Sequence, residues 1–196
     1  MSNQISFTEK AFAKVNLTLE ILGRRRDGYH NLASVMQTVD LFDTIEFSES
    51  DEVIVTCDDE EITPEINLAS KAASVLKQQA GITNGATMTI IKNIPVSAGL
   101  GGGSTDAAAA LRGLNKLWKL DLSLGELTEI GAEIGSDVPF LVRGGTSLVQ
   151  GRGEDVTPIP PAAVPKFLIL TPDVNLENPT AKTASVFSHV NESMFT

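Results

Sequence analysis

The strongest chemical signal in the sequence is a run of eleven residues: Pro95, Val96, Ser97, Ala98, Gly99, Leu100, Gly101, Gly102, Gly103, Ser104 and Thr105. Four of the five residues from Gly99 to Gly103 are glycine. Glycine loses more conformational freedom on folding than any other residue, so such a run needs a physical reason. Without Cβ atoms, backbone N–H groups can crowd around an anion, and a helix beginning at the end of the loop adds partial positive charge. Ser104 and Thr105 add hydroxyl donors. The chemistry indicated is phosphate binding; the alternative is a loop that is glycine-rich for flexibility alone. A Walker A loop is excluded because no Gly-Lys-Ser/Thr follows, and Ser104 stands where a dinucleotide fingerprint has its third glycine.

Four further sites are chemically able but open to plainer readings. Lys14 lies inside an apolar strand pattern, where a lysine ordinarily snorkels from an edge. Asn16, two residues on, shares its face, and is otherwise a polar residue on a solvated strand. Asp137 precedes Val138-Pro139, where aspartate serves in turns and caps. Tyr29, the one tyrosine, adjoins His30, one of two histidines. An aromatic ring can stack on a base, although packing is its commoner use. Asp43, Asp51, Asp58 and Asp59 read as solvated loop charges.

These residues need elements to position them. Alternation of Val15, Leu17, Leu19 and Ile21 with Asn16, Thr18 and Glu20 predicts a strand over Ala11–Leu22, followed by a turn at Asp27-Gly28. Asn31–Val39 reads as strand or buried loop, and Asp43–Phe47, Val53–Cys57, Ala86–Ile91, Thr146–Val149 and Phe167–Leu170 as strands. Helices are predicted over Asn67–Ala80, stopped by Gly81, over Ser104–Trp118, and from Ser123, whose spacing to Glu126 suits a capping box. Pro158, Pro160, Pro161 and Pro165 mark a connection that suits a domain boundary. Strands and helices mix without regular βαβ alternation, which predicts an α+β fold.

Composition narrows the function classes. Of 196 residues, 42% are apolar and 20% charged, as in ordinary globular chains. The net charge of −10 argues against a nucleic-acid partner. Cys57 is the single cysteine, so neither an internal disulfide nor a cysteine metal cluster forms. The first ten residues have no signal-peptide character, and no apolar stretch is long enough to span a bilayer. The expectation is a cytoplasmic protein without a membrane or nucleic-acid partner.

The pattern Pro-x-x-x-Gly-Leu-Gly-Gly-Gly-Ser-Thr resembles the central motif of the GHMP kinases, the family that includes galactokinase, homoserine kinase and mevalonate kinase. Ala13-Lys14-Val15-Asn16-Leu17, the block from Gly23 to His30 and Ile134-Gly135-Ser136-Asp137-Val138-Pro139-Phe140 are similar, in order and spacing, to the branch of that family whose substrate carries cytidine diphosphate. The resemblance runs from Ala11 to about Phe187. It implies a GHMP kinase N-terminal domain over 1–157, and over 158–196 the start of an α/β-sandwich C-terminal domain, whose own glycine-rich block is missing here. It further implies transfer of the γ-phosphate of ATP to the 2-hydroxyl of a methylerythritol bearing cytidine diphosphate, in the non-mevalonate route to isoprenoid precursors. Asp137 becomes the catalytic base, with Lys14 beside it, and Pro95–Thr105 the ATP loop. Asn16, Tyr29, His30, Thr183 and Phe187 become substrate contacts, with Thr180 competing with Thr183. Mg²⁺ is expected with ATP, Ser104 and Thr105 being the hydroxyls able to touch it. The expected state is a monomer or weak homodimer.

Overall fold

The structure is a computed structural model that describes residues 6–161, 166–170 and 182–196. Its frame is a six-stranded sheet with helices packed on it. The first two strands, β1 (Ser6–Arg24) and β2 (His30–Ser50), are long and pair antiparallel along nearly their whole length. The segment read as strand or buried loop at Asn31–Val39 is thus the first half of β2. The other edge of β2 is shared. Its second half pairs with β4 (Gly85–Ile91) and its first half with β5 (Thr146–Gly151), both antiparallel. Beyond β4 lies β3 (Val53–Cys57), in the sheet's parallel pair, and beyond β5 lies β6 (Asp155–Pro158). A parallel pair needs a crossover, which is α1 (Leu68–Ala80).

The helices follow their local signals. The Asn67 side chain accepts from Ala69 N to cap α1, and Gly81 ends it in the left-handed conformation at φ 63°. The glycine loop leads into α2 (Gly102–Leu117) and the capping box into α3 (Leu124–Ile134). A short helix not predicted from the sequence, α4 (Val138–Arg143), carries Pro139 in its first turn. In α2 the four alanines 107–110 are fully buried. Their small side chains bring the helix close to α1 and the sheet. Phe47, Phe140, Ile45 and Leu76 fill the core between helices and strands.

One expectation for the second half of the chain is corrected. Residues 166–170 form no strand, and Leu168 and Leu170 are about 80% exposed or more, so these two apolar side chains gain little burial to hold a strand. The sequence reading also lacked β6 and α5 (Lys182–Ser188). The chain ends near the hairpin, where Thr196 N donates to the Ile21 carbonyl at 2.9 Å.

Candidate active site

The glycine loop leaves β4 and enters α2 with its backbone in unusual conformations: Ser97, Gly99 and Gly101 all have positive φ. Gly101 sits at the N-cap of α2 with φ 75° and no side-chain cap. The helix start therefore directs the N–H groups of Gly102, Gly103 and Ser104 outward without intrahelical acceptors. The loop is tied to β1 twice. Lys14 N donates to the Leu100 carbonyl at 3.0 Å, and Thr105 Oγ1 to the Phe12 carbonyl at 2.6 Å.

Register shifts in the β1–β2 ladder, the first between Phe12 and Lys14, set the direction of the β1 side chains. Lys14 is 7% exposed. Its ammonium donates to Asn16 Oδ1 at 2.8 Å and lies 3.4 Å from Asp137 Oδ2. Asn16 in turn donates to Ser34 Oγ at 2.7 Å, and Ser34 to the Thr18 carbonyl. Asp137 occupies the N-cap position of α4 yet makes no capping hydrogen bond. Its carboxylate faces Lys14 and remains partly solvent-exposed. The side chain thus does what neither the turn reading nor the cap reading requires.

Lys14, Asn16, Asp137 and loop residues Pro95 to Ser104 line one cleft of about 580 Å³. Ile62, Ile66 and Leu68 form an apolar wall contributed by the β3–α1 connection and α1. Leu19, Leu32 and Phe187 form another from the hairpin and α5. Thr105 is not at the cleft surface; it is 1% exposed with its hydroxyl committed to β1. Ser104 does line the cleft.

The expected substrate residues are only partly together. Asn16 and Phe187 line the cleft. His30 is buried, its ring stacked on Phe187 at 5.5 Å and edge-on to Phe195 at 6.3 Å. Tyr29 is about half exposed and lies outside the cleft lining, beneath the Arg152 guanidinium 5.4 Å from its ring centroid. Thr180 and the Thr183 side chain lie outside the described residues.

Sequence reasoning missed a buried charge cluster under the loop. Asp43, read as a solvated loop charge, is instead on β2 and fully buried. One of its oxygens accepts from the N–H groups of Asn93 and Ile94, and the other lies 2.5 Å from Lys92 Nζ. Lys92 Nζ also lies 2.6 Å from Asp106 Oδ2. Burial opposes the Lys92 charge, but the two carboxylates outweigh it and hold its pKa above the ordinary value. Burial pushes the Asp106 carboxyl up to about 7; Lys92 opposes the rise and Asp43 adds to it. The available signal was periodicity: Asp43 falls on the same strand face as Ile45 and Phe47.

Residues 67–145 match the sequence profile of the GHMP kinases N terminal domain. Curated 4-diphosphocytidyl-2-C-methyl-D-erythritol kinases are similar across three quarters of the chain or nearly all of it. The one from Caldicellulosiruptor saccharolyticus is 50% identical over 186 residues, 93% of this chain and 64% of its own length. The one from Bacillus pumilus is 56% identical over 149 residues, 74% of this chain and 52% of its own. A crystal structure of 4-(cytidine 5′-diphospho)-2C-methyl-D-erythritol kinase superposes with TM-score 0.67 at 34% identity, covering 78% of this chain and 55% of that one. The chain carries a GHMP kinase N-terminal domain. Homoserine kinase from Cytophaga hutchinsonii shares the fold, with TM-score 0.63 at 19% identity over 82% of this chain and 53% of its own. The chain spans less than two thirds of the length of these relatives. In this GHMP kinase domain the glycine loop, Lys14 and Asp137 surround a single cleft.

Proposed function

We propose that the protein transfers the γ-phosphate of ATP to the 2-hydroxyl of 4-diphosphocytidyl-2-C-methyl-D-erythritol, giving the 2-phosphate and ADP, in non-mevalonate isoprenoid precursor synthesis in the cytoplasm. The observation that carries this reading is the Lys14–Asp137 pair, 3.4 Å apart, facing the glycine loop across one cleft. The names of the similar kinases supply the substrate.

In this reading the N–H groups at the start of α2 receive the phosphate oxygens. The apolar wall of Ile62, Ile66 and Leu68 receives the purine. Asp137 takes the proton of the substrate hydroxyl as its oxygen bonds to the γ-phosphorus and the bond to the bridging oxygen of ADP breaks. The Lys14 ammonium, oriented by Asn16, faces the negative charge that shifts during transfer. Among the described residues no three His, Cys, Asp or Glu side chains converge as a metal cage. That suits Mg²⁺, which is commonly held by one or two protein groups together with phosphates. The Ser104 hydroxyl, which lines the cleft, is the side chain able to touch it. There it would neutralise charge between the phosphates. The cytosine falls to Phe187 with Tyr29 and His30, and requires Tyr29 to turn from Arg152.

The test is phosphorylation of the diphosphocytidyl substrate by this chain with ATP and Mg²⁺, beside Asp137→Asn. Turnover that drops on the order of a thousandfold in the variant, with ATP affinity retained, is the expected result. Turnover unchanged by the substitution would overturn the role of Asp137. Phosphorylation of other alcohols in preference to this one would overturn the substrate.

A further inference from the structure

One guanidinium joins the three elements that carry the site. Arg112 stands midway along α2, the helix that the glycine loop opens into. One of its terminal nitrogens donates to the Lys10 carbonyl on β1 at 3.1 Å, and the other to the Leu141 carbonyl on α4 at 3.0 Å. The last carbonyls of a helix have no intrahelical partner, and α4 is short, so the bond from Arg112 secures it where its own ladder cannot. Leu141 N in turn donates to the Asp137 carbonyl at 3.1 Å, closing the first turn of α4. The Leu141 side chain reaches the loop beside Lys14: a Cβ added to Gly101 would stand 3.5 Å from Leu141 Cδ1 and 3.1 Å from Lys14 Cγ. Leu141 is thus linked to Arg112 on one side and to Asp137 on the other.

We infer that Arg112 is a positioning residue for the Lys14–Asp137 pair, seating α4 against β1 so that the Asp137 carboxylate meets the Lys14 ammonium. Its consequence for phosphoryl transfer rests on Asp137 being the base, as proposed above. Arg112 is not among the residues lining the cleft, so it acts through the elements it joins. The guanidinium is planar and presents its donors in a fixed fork, so two carbonyls bound by it are held in a fixed relation. Lys14 has other anchors. The Lys14 N bond to Leu100 and the Thr105 bond to Phe12 tie β1 to the loop without Arg112. The Asp137 side chain makes no capping hydrogen bond and meets Lys14 at 3.4 Å, so its place depends on how α4 is seated. Loss of Arg112 therefore loosens Asp137 and spares the loop. A misplacement of about 1 Å can cost on the order of a hundredfold in rate. The plainer role, capping the end of α4 for stability alone, would lower the melting temperature and leave the turnover of the folded protein unchanged.

Two measurements on this chain test the inference, using Arg112→Met and Arg112→Lys. The first needs no turnover: crystal structures of the wild type and both variants are compared. In Arg112→Met the Lys14 Nζ to Asp137 Oδ2 distance is expected to open beyond ion-pair contact, about 4 Å, with the glycine loop in place. A pair that stays closed would overturn the inference. In the second, kcat and KM are measured with ATP and the diphosphocytidyl substrate, per ATP-binding chain. Arg112→Met is expected to lower kcat about ten- to a hundredfold with KM for ATP unchanged. Arg112→Lys, in which one ammonium reaches a single carbonyl, is expected to fall between. Because the action runs through Asp137, adding Arg112→Met to Asp137→Asn is expected to lower kcat by less than about twofold further. Losses that multiply in the double variant, or single variants with the wild-type kcat, would overturn the inference. Should Arg112→Met not fold, Arg112→Lys takes its place in both measurements. A pair that opens in a chain whose wild type phosphorylates nothing would support the positioning and overturn the proposed reaction.

Discussion

The aliphatic stem of Lys14 passes over Gly101, where an added Cβ would stand 3.1 Å from Cγ and 3.3 Å from Cε. That contact, together with the positive φ, is why glycine is needed at this one position of the loop. Asp106 makes a second claim at this scale, through stability. Its folded value of about 7 lies above the ordinary carboxylate value of about 3.9. Between the two, the folded chain keeps a proton that the unfolded chain has lost. The contribution of Asp106 to stability is therefore full below about pH 4 and declines as pH rises to about 7, by up to about 1.4 kcal/mol per pH unit. Asp106→Asn removes the titration. Urea unfolding at about pH 5 and about pH 7 is expected to show the variant gaining on the wild type as pH rises, and a constant difference would refute the assignment.

The elements show how secondary structure is spent on the site. α2 starts at the loop without a side-chain cap, leaving its first N–H groups for a ligand. α3 has the opposite arrangement. Ser123 Oγ accepts from Glu126 N, and the Glu126 carboxylate accepts from Ser123 N at 2.8 Å. That end lies outside the cleft lining, so its capping concerns stability alone. Ser123→Ala is expected to cost about 1 kcal/mol, lowering the melting temperature by a few degrees as measured by calorimetry, with ATP affinity unchanged. A change in ATP affinity would show that α3 is coupled to the loop. Asp137 belongs to the same contrast: placed as an N-cap, it forgoes the cap and faces Lys14.

Over the whole molecule, the core sets the distance between α2 and the sheet, and so the height of the loop above Lys14. Gly113 is a point of close approach. A Cβ there would stand 2.2 Å from Phe47 Cζ, and both Phe47 and the adjoining Leu114 are fully buried or nearly so. Gly113→Ala therefore forces α2 or Phe47 to move. The expected cost is about 1–3 kcal/mol in urea unfolding, with weakened ATP binding because the loop is carried on the same helix. A stability gain, as from an ordinary glycine-to-alanine change in a helix, would show that the contact yields.

Much of this was legible in the sequence. Periodicity located β1 and α1, the Ser123–Glu126 spacing located the start of α3, and the run from Pro95 to Thr105 announced a loop at the start of α2. These signals are local: each depends on residues within a few positions, where propensity, capping and backbone freedom act. Tertiary structure alone decided the rest. Asp43 resembled a surface charge until Lys92 and the N–H groups of Asn93 and Ile94, about fifty residues away, closed on it. Phe167–Leu170 had strand-like composition, yet 166–170 form no strand and Leu168 and Leu170 stay exposed. Lys14 and Asp137, ambiguous apart, became a pair only when β1 and the start of α4 were brought to one cleft. Charge and burial depend on neighbours distant in the chain, so a buried ion cluster and a site assembled from three elements have no local signature.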